Sequence, residues 1–189
     1  MNFTDIFLEA VKECADFHQG IDIIKNNSNG NSWLVGGFIY RTIASKLYGC
    51  KRPEVDLDFV IELPVKDFTL PDKWGVKMNR FGNPKLFKGN QEIDYVPLNN
   101  VYSIIRRNIA PTIDNFLSGV PLTIQAIAYD VNAGKVIGEV GIKAILDRVI
   151  QVNDLYFAEY AALKKEISLN DIIREKAQSL EFSPIFPTR

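Results

Sequence analysis

The spacing of hydrophobic residues changes several times along the chain, and each spacing predicts a type of element. In the central part, strand patterns alternate with helical ones, and in 55–61 and 91–98 apolar and polar residues alternate, which is typical of strands with one buried face. Strands are predicted at residues 32–35, 55–61, 75–80, 85–88 and 91–96. A hairpin is predicted from 122–130 and 135–138, around the turn Asn132-Ala133-Gly134. The centre of the chain is therefore predicted to form a sheet.

Apolar residues three and four positions apart flank and interrupt these strands, and this spacing predicts helices. The predicted helices are a leading helix over 3–18 with 21–24 as its extension, one over 38–48 that Gly49 ends, short ones over 111–118 and 141–146, and two over 155–167 and 170–180. Ser168 or Asn170 is expected to cap the last. The mixture predicts an α+β fold, a mixed β-sheet packed against helices.

The character of the sequence changes after Asn153. Residues 1–153 are predicted to form the main domain, and 154–189 a short helical extension. The tail from Ser183 carries two prolines and is not expected to form a regular helix.

Two carboxylates, Asp56 and Asp58, lie two positions apart in a predicted strand. Because strand side chains alternate between faces, the two acids are expected to stand side by side. The residues predicted to enter the core opposite them are Val55, Leu57, Phe59 and Ile61. Two neighbouring carboxylates repel unless a cation lies between them, so the pair is a candidate Mg²⁺ site. The alternative is the solvated outer face of an amphipathic strand.

Gly36 and Gly37 lie between a predicted strand and a predicted helix. Free backbone N–H groups and the helix dipole favour an anion such as a phosphate at such a junction. The alternative is a tight turn that requires a positive φ. A third acidic candidate is Asp94, in the alternating stretch 91–98; Glu92 shares its face and could take its role, and a surface strand is the alternative.

The order of three motifs resembles the DNA polymerase β-type nucleotidyltransferase superfamily: Leu34-Val35-Gly36-Gly37, then Asp56-Leu57-Asp58, then Ile93-Asp94. A second stretch, from Pro121 to Ile150, is similar to the end of the head domain of bacterial poly(A) polymerases and CCA-adding tRNA nucleotidyltransferases. The resemblance extends from about Trp33 to Asn153 and so covers most of the chain.

The resemblance implies that a nucleoside monophosphate is transferred from a nucleoside triphosphate to a hydroxyl, with an RNA 3′ end as acceptor and pyrophosphate as leaving group. It implies two Mg²⁺ or Mn²⁺ ions. Asp56 and Asp58 would bridge both ions, and Asp94 would hold the ion beside the attacking hydroxyl and accept its proton. Gly36 and Gly37 would face the triphosphate.

Two cationic residues of the next predicted helix complete the candidate nucleotide-binding set. Arg41 is the candidate phosphate contact after the glycines, and Lys46 belongs to a small basic cluster that also contains Lys51 and Arg52. A solvated helix face is the alternative for each, as it is for the second basic cluster, Arg106-Arg107.

Departures from the family pattern concern the choice of nucleotide and the acceptor. Gly119-Val120-Pro121 stands where the family has Arg-Arg-Asp, and Gln125 replaces an Asn, so base selection does not carry over. The stretch after Asn153 is too short for the family's helical regions that grip RNA. The acceptor is then small, bound elsewhere on the head, or delivered by a partner protein or a second copy in a homodimer.

Three classes of function follow: a nucleotidyltransferase acting on RNA, another nucleic acid or a small acceptor; a toxin-like or protein-modifying nucleotidyltransferase; and a head domain that binds nucleotide or a partner without turnover.

The composition of the chain disfavours several other classes of protein. A single His18 disfavours zinc hydrolases and His-based triads. Two isolated cysteines favour a cytoplasmic protein, and no apolar run is long enough to cross a membrane. The 22 basic and 23 acidic residues disfavour a surface dominated by positive charge.

Overall fold

A seven-stranded mixed sheet is the centre of the protein, whose computed structural model describes residues 1–187. The strands are β1 (Ser32–Val35), β2 (Leu57–Ile61), β3 (Gly75–Met78), β4 (Pro84–Lys88), β5 (Gln91–Pro97), β6 (Ala128–Asp130) and β7 (Lys135–Ile137). Their order is β3-β4-β5-β2-β1-β6-β7, and β2 and β5 are parallel while the other neighbours are antiparallel. The predicted α+β fold is confirmed.

Helices cover the sheet and form the C-terminal part. They are α1 (Phe3–Val11), α2 (Ala15–Asn26), α3 (Gly37–Tyr48), α4 (Tyr102–Arg107), α5 (Ile113–Ser118), α6 (Glu139–Asp147), α7 (Leu155–Lys164) and α8 (Leu169–Gln178). Two 3-10 turns lie at Leu98–Asn100 and Thr123–Gln125, and two short strands, β8 (Val149–Ile150) and β9 (Ser183–Pro184), pair near the end. Within residues 1–187 no helix is both long and apolar enough to cross a membrane.

The two faces of the sheet support cores of different size. On one face, strand residues such as Leu34, Phe59 and Tyr95 are fully buried in a large core that also contains residues of α1, α2, α3, α6 and α8. On the other face a smaller core consists of Trp33, Val35, Val60, Leu98, Ile104, Leu117 and Ala128. Both faces are therefore covered, but to different extents.

The predicted leading helix is two helices, since α1 ends at Val11 and α2 begins at Ala15. In one straight helix the rings of Phe7 and Phe17 would be about 15 Å apart along the axis. The turn brings their centroids to 5.5 Å, edge to face, in the large core. Burial of both aromatic side chains therefore explains the break.

Two further predictions about elements were wrong, and one helix was not predicted. Val55 does not enter the core: it precedes β2 and is 39% exposed. Residues 122–127 do not continue the hairpin strand, because the backbone of Thr123 bonds within a 3-10 turn, where its carbonyl accepts from Ala126 N at 3.0 Å. The helix α4 was not predicted, since its six residues are too few to show a periodicity.

The C-terminal helices pack into the large core. Ala162 of α7 and Ile172, Ile173 and Ala177 of α8 belong to it, and Lys176 Nζ donates to Tyr40 Oη at 2.9 Å. Ser168 caps α8 by accepting from Asp171 N, as one of the two alternatives predicted. The division at residue 153 stays a prediction. Of the tail predicted to be non-helical, Thr188 and Arg189 lie outside the described residues.

Candidate active site

The strand register brings together two of the three predicted carboxylates. Asp58 of β2 lies directly beside Asp94 of β5, because these two strands run parallel. One row across four strands contains Val35, Asp58, Asp94 and Lys85. Residues far apart in the sequence thus present their side chains on the same face, and this is the face with the smaller core.

Gly36 closes the row where β1 ends and α3 begins. Its φ of 79° lies in the left-handed region that side chains rarely adopt, and a Cβ at this position would overlap Oδ2 of Asp58. Gly37 has no such constraint, since its Cβ would be 3.8 Å from Arg41 Nε and from Tyr40 Oη. Gly36 therefore meets the requirement of a positive φ and also leaves room for the carboxylate of Asp58.

Burial and neighbouring negative charges both disfavour the ionised form of Asp58. Burial first, and then the charges of Asp56 and Asp94 and a hydrogen bond with Asp94, together raise its pKa from the ordinary value of 3.8 to about 7. The positive charge of Lys85 acts in the opposite direction. A carboxyl group that keeps its proton to neutral pH beside other acids is one that a divalent cation would stabilise in its ionised form.

Lys85 organises the neighbouring acids. Its Nζ lies 3.2 Å from Oδ1 of Asp94 and 3.0 Å from Oε2 of Glu92, while Lys77 Nζ lies 2.6 Å from Oε1 of Glu92. Glu92 thus contacts two lysines, whereas Asp94 remains beside Asp58. Sequence reasoning missed Lys85, because only the register of β4 against β5 places it beside Asp94.

Asp56 differs from the other two acids because β2 begins only at Leu57. It is exposed, and the pleat of a strand does not fix its direction. Its charge still acts on Asp58. In residues 1–187, no three His, Cys, Asp or Glu side chains converge as a group that could hold a metal ion. The structure therefore brings Asp58 and Asp94 together and leaves Asp56 beside them.

A cleft of about 610 Å³ opens from Asp58 over the smaller core. Gly36 and Asp58 line one part of it, and Tyr102 and Tyr160 line another. Gln125, which stands where the resembled family has Asn, also lines this cleft, and its Oε1 accepts from Leu122 N at 3.1 Å. The cleft is large enough for a small-molecule substrate.

The two cationic candidates on α3 lie at different ends of the helix. Arg41 lies near Gly37, and its Nε is buried without a hydrogen-bond partner in the described part of the chain. Lys46 lies about 7.5 Å further along the helix axis than Arg41, and its Nζ bonds to Oε1 of Glu9 at 2.9 Å. Arg41 therefore lies near the glycines, whereas Lys46 is in an ion pair further along α3, and nucleotide binding by either residue stays a prediction.

Comparisons with known proteins identify the fold. No protein-family description and no curated protein matches the sequence. The chain is similar to solved structures of a CCA-adding enzyme with CTP (TM-score 0.64, 19% identity, 98% of this chain and 43% of that one) and of its apo form I (0.64, 21%, 98% and 43%). It is also similar to the Thermotoga maritima CCA-adding enzyme complexed with tRNA (0.57, 18%, 100% and 43%).

These similarities confirm the predicted resemblance at the level of the fold: the chain has a nucleotidyltransferase head-domain fold. It spans 43% of the length of these enzymes.

Proposed function

We propose that this protein is a metal-dependent nucleotidyltransferase that transfers a nucleoside monophosphate from a nucleoside triphosphate to a hydroxyl group and releases pyrophosphate. The observation that carries the proposal is the pair Asp58 and Asp94, held side by side on parallel strands with the pKa of Asp58 raised to about 7. The fold supports it, since solved structures of this fold include CCA-adding enzymes with CTP and with tRNA.

The donor set fits a hard divalent cation. Carboxylate oxygens are the ligands that Mg²⁺ and Mn²⁺ prefer, and Asp58 and Asp94 offer them in adjacent positions. Asp56 would add a third carboxylate, since its charge already acts on Asp58. When bound, such ions neutralise charge on the triphosphate and lower the pKa of the attacking hydroxyl.

The remaining groups bind and orient the substrates. Gly36 and Gly37 lie at the N-terminus of α3, where backbone N–H groups and the helix dipole favour an anion, and the buried Nε of Arg41 has no hydrogen-bond partner among residues 1–187. These groups would hold the triphosphate with its α-phosphorus facing the acceptor hydroxyl. The hydroxyl oxygen then forms the new bond, the bond to pyrophosphate breaks, and Asp94 accepts the hydroxyl proton.

The test is incorporation of label from each α-³²P-labelled nucleoside triphosphate into total RNA or a protein extract, with Mg²⁺, Mn²⁺ or EDTA. We expect metal-dependent labelling of RNA. Label in the protein fraction would instead identify a protein-modifying enzyme. Nucleotide binding without metal and without labelling would identify a binding domain without turnover.

Two variants connect this activity to the carboxylates. Asp58→Asn and Asp94→Asn should each lower the rate by at least about 100-fold, the scale seen when one stabilising group of an active site is removed. Glu92→Gln is the matched control, because Glu92 lies two residues from Asp94 on the same face but contacts lysines. Wild-type activity in Asp58→Asn would rule out this site.

A further inference from the structure

We propose that an exposed surface next to the cleft binds single-stranded nucleic acid, and so supplies the acceptor strand. We call it the stacking surface, and its members are Arg80, Phe81, Tyr102, Arg106, Tyr156, Tyr160 and Lys164. The proposal rests on the proposed function for the role of the strand as acceptor; the binding itself does not depend on it.

Aromatic rings are displayed on this surface in an arrangement suited to bases. Tyr102 and Tyr160 stack with their ring centroids 5.0 Å apart and their planes 28° from parallel. Phe81 is 63% exposed, Tyr156 46% and Tyr102 45%. Exposed rings in a group are rare on a surface that has no partner, and every nucleobase can stack on such a ring whatever its identity.

Lysine and arginine side chains lie over these rings, and in the part of the chain that the structure describes their charges are not neutralised by ion pairs. Lys164 Nζ is 4.6 Å from the centroid of Tyr160, Arg80 is 4.7 Å from that of Phe81, and Arg106 is 5.4 Å from that of Tyr156. None of these three is in an ion pair with a carboxylate of residues 1–187. Positive charge beside exposed aromatic rings is complementary to a phosphate backbone with unstacked bases.

The neighbouring charges have other roles. Arg107 follows Arg106 in the chain, but its guanidinium donates to Ser103 O at 3.1 Å and to Ser118 Oγ at 3.0 Å, which fixes α4 against α5. Asp154 lies beside Arg106, and its Oδ1 accepts from Phe157 N at 3.1 Å, which caps α7. The seven members of the stacking surface themselves include three cations and no carboxylate.

The stacking surface is continuous with the candidate active site. It is assembled from the loop between β3 and β4, from α4 and from α7. Phe81, Tyr102, Tyr160 and Lys164 line the same cleft as Gly36 and Asp58. A strand lying on the rings would therefore have its end directed toward the carboxylates. This location, together with the charge, favours nucleic acid over a protein partner.

The test is binding of a fluorescein-labelled single-stranded RNA of about 12 nucleotides, measured by anisotropy without nucleotide or divalent metal. Tyr160→Leu should weaken binding about tenfold, and Tyr160→Phe should not, because stacking is lost in the first and kept in the second. An oligonucleotide containing 2-aminopurine should be quenched by the wild type and less by Tyr160→Leu. Phe186→Ala is the control, since Phe186 also has a cation, Arg174, 5.6 Å from its centroid, but is not part of the stacking surface.

A matched pair of lysines tests the electrostatic part. Lys164→Gln should reduce the slope of log affinity against log salt by about 0.7, the contribution of one contact to a single strand. Lys165→Gln should leave the slope unchanged, because Lys165 is exposed next to it but does not lie over these rings.

The outcomes separate this inference from the proposed function. RNA binding is measured without nucleotide or metal, so a protein that shows no transferase activity in the labelling assay but whose binding is sensitive to Tyr160→Leu would refute the proposed function alone. Equal affinities of wild type, Tyr160→Leu and Lys164→Gln would refute the inference, as would equal affinity for an RNA duplex. A dimer that Tyr160→Leu dissociates, without RNA binding, would show that the surface joins two copies.

Discussion

The two faces of the sheet are built from the same strands but are closed to different degrees. On one face helices cover the central strands, and Phe59 and Ile61 of β2 are fully buried. On the other face, Asp58 and Val60 of the same strand border a cleft of about 610 Å³ beside a small core. The alternation of apolar and polar residues alone therefore does not show which polar residue is simply solvated and which lies in a site. That distinction depends on how much of the polar face is covered by other elements of the fold.

Replacing an isoleucine on each face gives the largest expected effect on stability. Ile93 is 1% exposed in the large core and Ile104 is 3% exposed in the small one. Ile93→Ala should lower the free energy of unfolding by about 4 kcal/mol and Ile104→Ala by about 2 kcal/mol, because a site next to an open cleft relaxes more easily. Urea denaturation measures both. Equal losses would mean that the two faces are equally tightly packed.

The pH dependence of stability tests whether the pKa of Asp58, on the open face, is raised by folding. The unfolded chain releases this proton near pH 4, whereas the folded protein holds it until about pH 7. Between these values the folded state binds more protons, so the free energy of unfolding should fall as pH rises, by at most about 4 kcal/mol, and level off above pH 7.

Denaturation of wild type and Asp58→Asn at pH 5 and pH 8 measures this effect. The difference between the two pH values should be smaller in the variant, and added Mg²⁺ should restore stability to the wild type at pH 8. If stability depended on pH in the same way in both proteins, the pKa of Asp58 would not be raised in the folded state.

Gly36 and Gly37, at the start of α3, differ in how much room each has for a side chain. Gly36→Ala requires a side chain at a positive φ and pushes against Asp58. It should cost about 1 to 3 kcal/mol and lower transferase activity. Gly37→Ala has room for its methyl group and should change stability by less than about 1 kcal/mol. Thermal unfolding with an activity assay distinguishes them, and equal effects would mean that Asp58 is not held by this close approach.

The smallest effect is expected for Lys46→Gln, in the helical layer over the closed face. Its ion pair with Glu9 joins two exposed side chains and should contribute less than about 1 kcal/mol. The KM for a nucleoside triphosphate should stay unchanged, whereas Arg41→Gln should raise it several-fold. A raised KM in Lys46→Gln would show that nucleotide binding extends to the far end of α3.

Much of the fold could be predicted because local patterns determine it. Most strands of the central sheet, the stop at Gly49 and the Ser168 cap follow from short apolar patterns and capping chemistry. The break between α1 and α2 could not be predicted, since Lys12, Glu13 and Cys14 include no residue that interrupts a helix. Only the meeting of Phe7 with Phe17 explains it, and that contact is tertiary.

The candidate site was predicted in its residue types more than in its geometry. Asp58, Asp94 and Gly36 lie together as their order in the chain suggested. Lys85 and the stacked pair Tyr102 and Tyr160 could not be found from the sequence, because their positions depend on register and on helix packing across the cleft. Lys46 illustrates the opposite case, since closeness in sequence to a motif did not mean closeness in space.

The parallel pairing of β2 with β5 also has a consequence for folding. A parallel pair cannot be joined by a tight turn, so the chain first traverses β3 and β4 before Asp94 can reach Asp58. Closing a segment of roughly 35 residues costs about 3 kcal/mol of chain entropy, whereas the β3-β4 and β4-β5 hairpins close locally. A partly folded chain with native hairpins therefore has no site at all. During gradual denaturation, catalytic activity should disappear while much of the helical circular-dichroism signal is still present.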